Sequence, residues 1–186
     1  MVPGVSSALA APIFAGIPVT QRGVAESFVV CTGVGRNGKE VRLPGYERGR
    51  TLIILMAVAR LTQVINALLE RTSLGDRQER DATERRDGPA YPPCLPIALI
   101  ERGSMPDQRV VASTLQDIVV AHESVGEQRP PGLFVVGWAV LALWGEGEVG
   151  VLEEGAESDD ECRVRRWLGM ERWRVKEGVE DGWGGL

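Results

Sequence analysis

The stretch Glu101-Arg102-Gly103-Ser104-Met105-Pro106-Asp107 is a polar turn between two apolar runs, Ile97–Ile100 and Val110–Ala112. Gly103 has no Cβ, so a ligand could approach its backbone closely. Gln108 and Arg109 set an amide and a guanidinium at the rim of the turn. Taken by itself, the stretch reads as a strand, a solvated loop and a second strand. A second candidate is Gly33-x-Gly35-x-x-Gly38, which has the spacing of a dinucleotide fingerprint. That fingerprint needs a helix directly after the glycines and an acidic residue about twenty positions on. Basic residues and Pro44 follow instead, so a flexible loop is the expectation.

The remaining inventory excludes several chemistries. His122 is the only histidine, which argues against a histidine triad or a multi-histidine metal site. Cys31, Cys94 and Cys162 are odd in number and widely spaced, giving neither a disulfide framework nor metal-ligand spacing. They suit a reducing, cytoplasmic compartment. The net charge of -5 argues against nucleic acid, which needs a basic face. The apolar amino-terminal stretch lacks a basic leader and is broken by Pro3, Gly4 and Pro12, so no signal peptide is expected. The run Leu133–Trp144 is too short to span a bilayer, so no membrane segment is expected. His122 is expected at the surface, near a helix end where a cation complements the dipole.

These residues need elements to hold them, and 186 residues allow one domain, or one domain with tails. Hydrophobic residues at 44% and charged residues at 25% fit a packed globular chain. Ser6 or Ser7 caps a small-residue helix over Ala8–Ala15, shortened or kinked by Pro12. Strands are expected at Ser27–Thr32, Thr51–Met56, Ile97–Ile100 and Leu133–Val136, the central ones buried on both faces. In Ala57–Arg71, Val58, Leu61, Val64, Ile65, Leu68 and Leu69 form one apolar stripe, a helix pattern. Strand, helix and the strand after Pro96 then make a βαβ unit with a parallel pair. Thr114–Ser124 is a helix with Leu115, Ile118 and Val119 facing inward. The charged, proline-ended stretch 72–93 reads as a disordered or loosely helical insertion. Residues 1–144 form the domain. Residues 145–186 form an acidic, mostly disordered tail, in which Val164, Trp167 and Leu168 mark either a short docked helix or a frayed end.

The segments VPGVSSALAAPIFAGIPVTQRG, SFVVCTG, RTLIILMAVARL, LPIALIERGSMPDQRVVASTL and PPGLFVVGWAV, in that order, resemble the uroporphyrinogen-III C-methyltransferases of the tetrapyrrole methylase family. The resemblance runs from about Val2 to Val140, apart from the insertion, and its details are most similar to the fungal type. It implies an α/β fold: the second, carboxyl-terminal domain, with a mixed sheet of about five strands flanked by helices. The family's glycine-rich cofactor motif and proton-transfer residues belong to the amino-terminal domain and have no counterpart here. The chain therefore resembles half of the enzyme and alone is expected to have little activity.

The resemblance implies S-adenosylmethionine as methyl donor and uroporphyrinogen III as substrate, giving precorrin-2 for sirohaem. It also implies a homodimer in the full-length enzyme, without nucleic acid or membrane. Ser6, Ser7, Met56 and Gly103 match cofactor-binding positions, and the Gly137–Val140 segment is expected to close the adenosine side. Arg22 and Arg109, with Arg50 as a third, are the candidates for the substrate's carboxylates. Catalytic residues are expected in the missing half, and no metal is implied. Gln21 stands where many relatives have histidine, which removes a titratable group from that loop. Two alternatives remain: a non-catalytic remnant acting through dimerisation or binding, and a methylase of a later corrin intermediate.

Overall fold

The computed structural model describes residues 1, 3–39, 41–69, 86–145 and 147–179. Helix α1, Ser7–Ala15, begins where the Ser6 side chain accepts the Ala8 N–H at 3.3 Å. It ends at Gly16, whose left-handed backbone (φ 86°) only glycine adopts without strain. Its inward face is Ala8, Ala11 and Ala15, all buried, so the helix lies close against the sheet.

Strands β1 (Ser27–Thr32) and β3 (Arg50–Leu55) pair in parallel, and the two-residue strand β2 (Leu43–Pro44) lies between them in sequence. A short 3-10 turn, Val58–Arg60, leads into α2, Leu61–Leu69. Strand β4, Arg86–Asp87, pairs with β2. Strands β5 (Pro96–Glu101) and β6 (Arg109–Thr114) form an antiparallel hairpin, followed by α3, Ile118–Ser124, and β7, Gly132–Val136. A 3-10 segment, Trp138–Trp144, then α4 (Asp160–Trp167) and β8 (Trp173–Glu177) complete the described chain.

The main sheet has the order β1-β3-β7-β5-β6-β8. Successive strand residues alternate between its faces. Ile53, Ala98, Ile100, Val110, Ala112 and Val135 pack with α1 on one face. Leu52, Ile54, Ile97, Leu99, Val111 and Phe134 pack with α2 and α3 on the other.

Three expectations are corrected. The βαβ reading made β3 and β5 neighbours, but β7 lies between them, antiparallel to both. β3 and β5 still run the same way. Leu133–Val136 is as apolar as either strand and fully buried, so it takes the central place. Within 72–93, residues 72–85 lie outside the described residues, but the rest is ordered. Arg86 donates to the Ala67 and Leu68 carbonyls at 2.7 and 3.1 Å, capping α2, and Tyr91 is buried with its hydroxyl on the Pro44 carbonyl at 3.1 Å.

The third correction is the tail. Part of its acidity is held by arginines, while Glu153, Glu154, Asp159 and Glu161 stay exposed. Arg48 grips Asp160 through two bonds of 2.7 and 2.8 Å, and Arg163 adds another at 2.7 Å. Val164 and Leu168 are buried, and β8 extends the sheet beside β6.

Candidate functional site

The carboxyl ends of β1, β3 and β5 lie along one edge of the sheet, together with the amino end of β7. The contacts of small residues define this edge. A Cβ on Gly33 would stand 2.5 Å from the Ala57 Cβ, and one on Gly132 would stand 2.8 Å from Val58 Cγ2 and 3.2 Å from the Ile100 carbonyl. In α/β sheets, ligands bind just beyond the carboxyl ends of strands. The described non-glycine residues with positive φ are Asn37, Met56, Arg102, Ser104 and Met170, and the first four lie at this edge. Such strained backbone tends to collect at functional sites.

Two of the expected cofactor residues meet here. Met56 follows β3 with φ 56° and is 65% exposed, a methionine projecting from the rim. Gly103 follows β5, but the space its missing side chain leaves is taken by helix α1. A Cβ there would stand 2.6 Å from the Ala11 Cβ. Gly103 thus seats a helix rather than opening a cradle. Ser6 and Ser7 stand at the start of that helix, both exposed, and α1 packs across β3, β7 and β5.

The expected arginines do not join them. Arg50 opens β3, at the far end from Met56, and its guanidinium pairs with Glu47. Six residue steps along the strand separate the two, about 20 Å. Arg22 is exposed on a turn closed by the Gln21–Ala25 bridge, and Gly23 accepts the Leu152 N–H at 3.1 Å. That turn leads into the amino end of β1, so Arg22 also lies away from Met56. The Gly137–Val140 segment starts at the same far edge, with the Gly137 N–H on the Pro96 carbonyl at 3.0 Å, and Trp138, Ala139 and Val140 are buried. It offers no surface to an adenosine beside Met56.

Arg109 is corrected for a different reason. It is buried, its Nε donating to Glu101 Oε2 at 2.6 Å, with Nη1 and Nη2 on the Val125 and Glu127 carbonyls at 2.8 Å. Its guanidinium is turned into the protein and presents no face to a substrate. Gln108 is buried too, accepting the Ser104 N–H at 2.8 Å and donating to the Phe14 carbonyl at 3.2 Å, which ties the turn to α1. His122 is also buried, with Nε2 3.5 Å from Glu101 Oε1. Burial pushes the Glu101 carboxyl up. His122, Arg109 and the Arg129 N–H (2.9 Å) outweigh this and hold it down at about 2. Glu101 is the polar anchor that sequence reasoning missed. The available signal was a carboxylate ending an otherwise apolar strand, with an arginine eight residues later across a hairpin.

Arrangement and fold together define an α/β domain that offers one strained sheet edge to a ligand. The family model for Tetrapyrrole (Corrin/Porphyrin) Methylases matches residues 1–119. The chain belongs to the tetrapyrrole methylases. It is 41% identical over 143 residues to the probable uroporphyrinogen-III C-methyltransferase of Schizosaccharomyces pombe, a match covering 77% of this chain and 25% of that protein. The uroporphyrinogen-III C-methyltransferase of Saccharomyces cerevisiae is 39% identical over 143 residues, covering 77% and 21%. A solved structure of uroporphyrin-III C-methyltransferase from Thermus thermophilus, complexed with S-adenyl homocysteine, aligns with TM-score 0.51 and 29% identity, covering 75% of this chain and 50% of that one. The chain thus spans about a quarter of the yeast relatives it matches and half of the bacterial enzyme.

Proposed function

We propose that the chain supplies the carboxyl-terminal half of an S-adenosylmethionine-dependent methyltransferase that acts on uroporphyrinogen III, giving precorrin-2 for sirohaem. The observation that carries this reading is the 41% identity to the Schizosaccharomyces pombe protein over 77% of this chain.

The bound donor would supply an electrophilic methyl group on a sulfonium. This chain's residues would hold and orient the reactants, and such positioning is a large part of catalysis in a transfer between two bound molecules. The fit to the donor is one-sided. Met56 offers an exposed side chain and a turned backbone at the rim. Gly103 acts at one remove, by letting α1 approach, while Ser6 and Ser7 begin that helix. These four residues are our assignment for the donor.

The test is equilibrium binding to the purified chain, with S-adenosylhomocysteine followed by calorimetry and uroporphyrin III by its fluorescence. Saturable binding of both is the expected result. Binding of neither would overturn the reading.

A further inference from the structure

Losing Arg50 and Arg109 as ligand residues leaves the carboxyl edge in need of cations, and the structure has them in an unexpected place. The loop after β1 carries Arg36 and Lys39, both exposed, and the 3-10 turn after β3 carries Arg60, half-buried. A Cβ on Gly38 would stand 2.9 Å from Arg60 Nη2, so the guanidinium lies directly over the loop. None of the three has an ion-pair or hydrogen-bond partner for its side chain among the described residues. Arg22 and Arg165 likewise stand without a side-chain partner among these residues, but singly, whereas Arg102 pairs with Asp107 at 3.0 Å, Arg129 with Glu177 at 2.6 Å, and Arg172 with Asp117; the loop is where three such cations lie together.

A half-buried guanidinium with no protein acceptor keeps its donors for water, and a carboxylate can displace that water and accept from them. Arg60 also lines a recess of about 30 Å³ with Gly33, Val41, Gln63 and Val64. The recess adjoins Met56, since Gly33 abuts Ala57 and its N–H reaches the Leu55 carbonyl at 2.8 Å.

The loop itself is not the phosphate cradle its glycine spacing imitates. Its backbone donors are turned inward: Val34 to the Thr32 hydroxyl at 3.3 Å, Gly35 to the Lys39 carbonyl at 2.9 Å, and Gly38 to the Gly35 carbonyl at 3.1 Å. What it presents is side-chain cations. Guanidinium groups suit carboxylates, which they can grip through two parallel bonds.

We propose that Arg60, Arg36 and Lys39 form a carboxylate subsite at the carboxyl edge, taking acidic side groups of the tetrapyrrole. This rests on the function proposed above, and it replaces Arg50 and Arg109 in that role. Arg60 holds the inner carboxylate against the loop, and the two exposed cations add long-range attraction.

The experiment titrates uroporphyrin III into the full chain, comparing wild type with R60Q and with the double variant R36Q/K39Q. S-adenosylhomocysteine binding and thermal melting are measured in parallel. The expected result is uroporphyrin binding weakened about tenfold or more in R60Q, as for loss of a charged hydrogen bond. The double variant should bind more weakly and with a shallower salt dependence, and S-adenosylhomocysteine affinity should be unchanged. Wild-type uroporphyrin affinity in both variants, with unchanged melting, overturns the subsite and leaves the function standing. If R60Q fails to fold, the double variant, altered only at exposed positions, decides by the same criterion. A wild-type chain that binds S-adenosylhomocysteine but no uroporphyrin overturns the subsite and leaves the donor reading standing, whereas binding of neither overturns both.

Discussion

Glu101 and Arg109 face each other in register across the β5–β6 hairpin, and the Arg109 Nε lies 2.6 Å from Glu101 Oε2 with both side chains buried. The pair does more than close the hairpin. Arg109 also holds the Val125 and Glu127 carbonyls, and Glu101 accepts the Arg129 N–H, so the two residues fix the loop that delivers β7 to the centre of the sheet. Arg109→Met should therefore destabilise the fold by about 3–5 kcal/mol, the usual cost of stranding one buried charge. Urea denaturation followed by circular dichroism measures it. A loss below 1 kcal/mol would mean that the pair is solvated.

The same carboxylate gives the fold an acid limit. Its value is about 2 in the folded chain against an ordinary 4.5. Between those values the unfolded chain binds a proton that the folded chain does not, so stability is fully present above pH 4.5 and falls as the pH drops toward 2. The contribution is about 3 kcal/mol. Glu101→Gln should flatten the stability profile in that window and lower stability at neutral pH. Parallel profiles for the two proteins would show that another group sets the acid limit.

Gly103 is the second structural requirement of the edge. In Gly103→Ala the new methyl would stand 2.6 Å from the Ala11 Cβ. The helix must then shift, at about 1–3 kcal/mol for overpacking of this kind. Adding Ala11→Gly should recover much of that loss, although glycine within a helix itself costs about 1 kcal/mol. Comparison of the two single variants with the double one separates the contact from general damage. Strict additivity would show that the two residues do not press on each other.

How far the sequence reveals this molecule depends on whether its signals are local. The β5–β6 hairpin is legible because Pro96, Gly103 and Pro106 punctuate two apolar runs, and α2 because its stripe has helical spacing. The insertion of β7 between β3 and β5 is a long-range choice, and no local pattern encodes it. Arg109 misleads because it adjoins a polar turn, yet its position opposite Glu101 follows once the hairpin register is counted. The loop cations escape notice because Gly33-x-Gly35-x-x-Gly38 draws attention to the backbone, whereas the feature that matters, Arg60 over Gly38, joins residues twenty-two apart.

The tail yields the remaining prediction. A stretch rich in Glu, Asp and Gly has the composition of disorder, but Asp160 within it is gripped by arginines from two parts of the chain. Arg48 holds Asp160, lies over the Trp138 ring at 5.0 Å and donates to the Val151 carbonyl at 2.9 Å. Arg174 lies over Trp144 at 4.0 Å. These contacts hold β8 beside β6, and β8 occupies what would otherwise be an open sheet edge. Exposed edges invite pairing with other chains, whereas the alternating Arg174, Val175, Lys176 and Glu177 of β8 blunt that tendency with charge. Removing the chain from residue 145 onward should leave β6 uncovered and turn a dispersed protein into an associating one, read by light scattering at constant concentration. Arg48→Met isolates the anchor. It leaves the buried Asp160 with Arg163 alone, and loss of a charged hydrogen-bond partner is worth about 1.5–3 kcal/mol. It should raise amide exchange in 173–177 more than in β5. Unchanged exchange in β8 would mean that its pairing to β6 alone holds the tail.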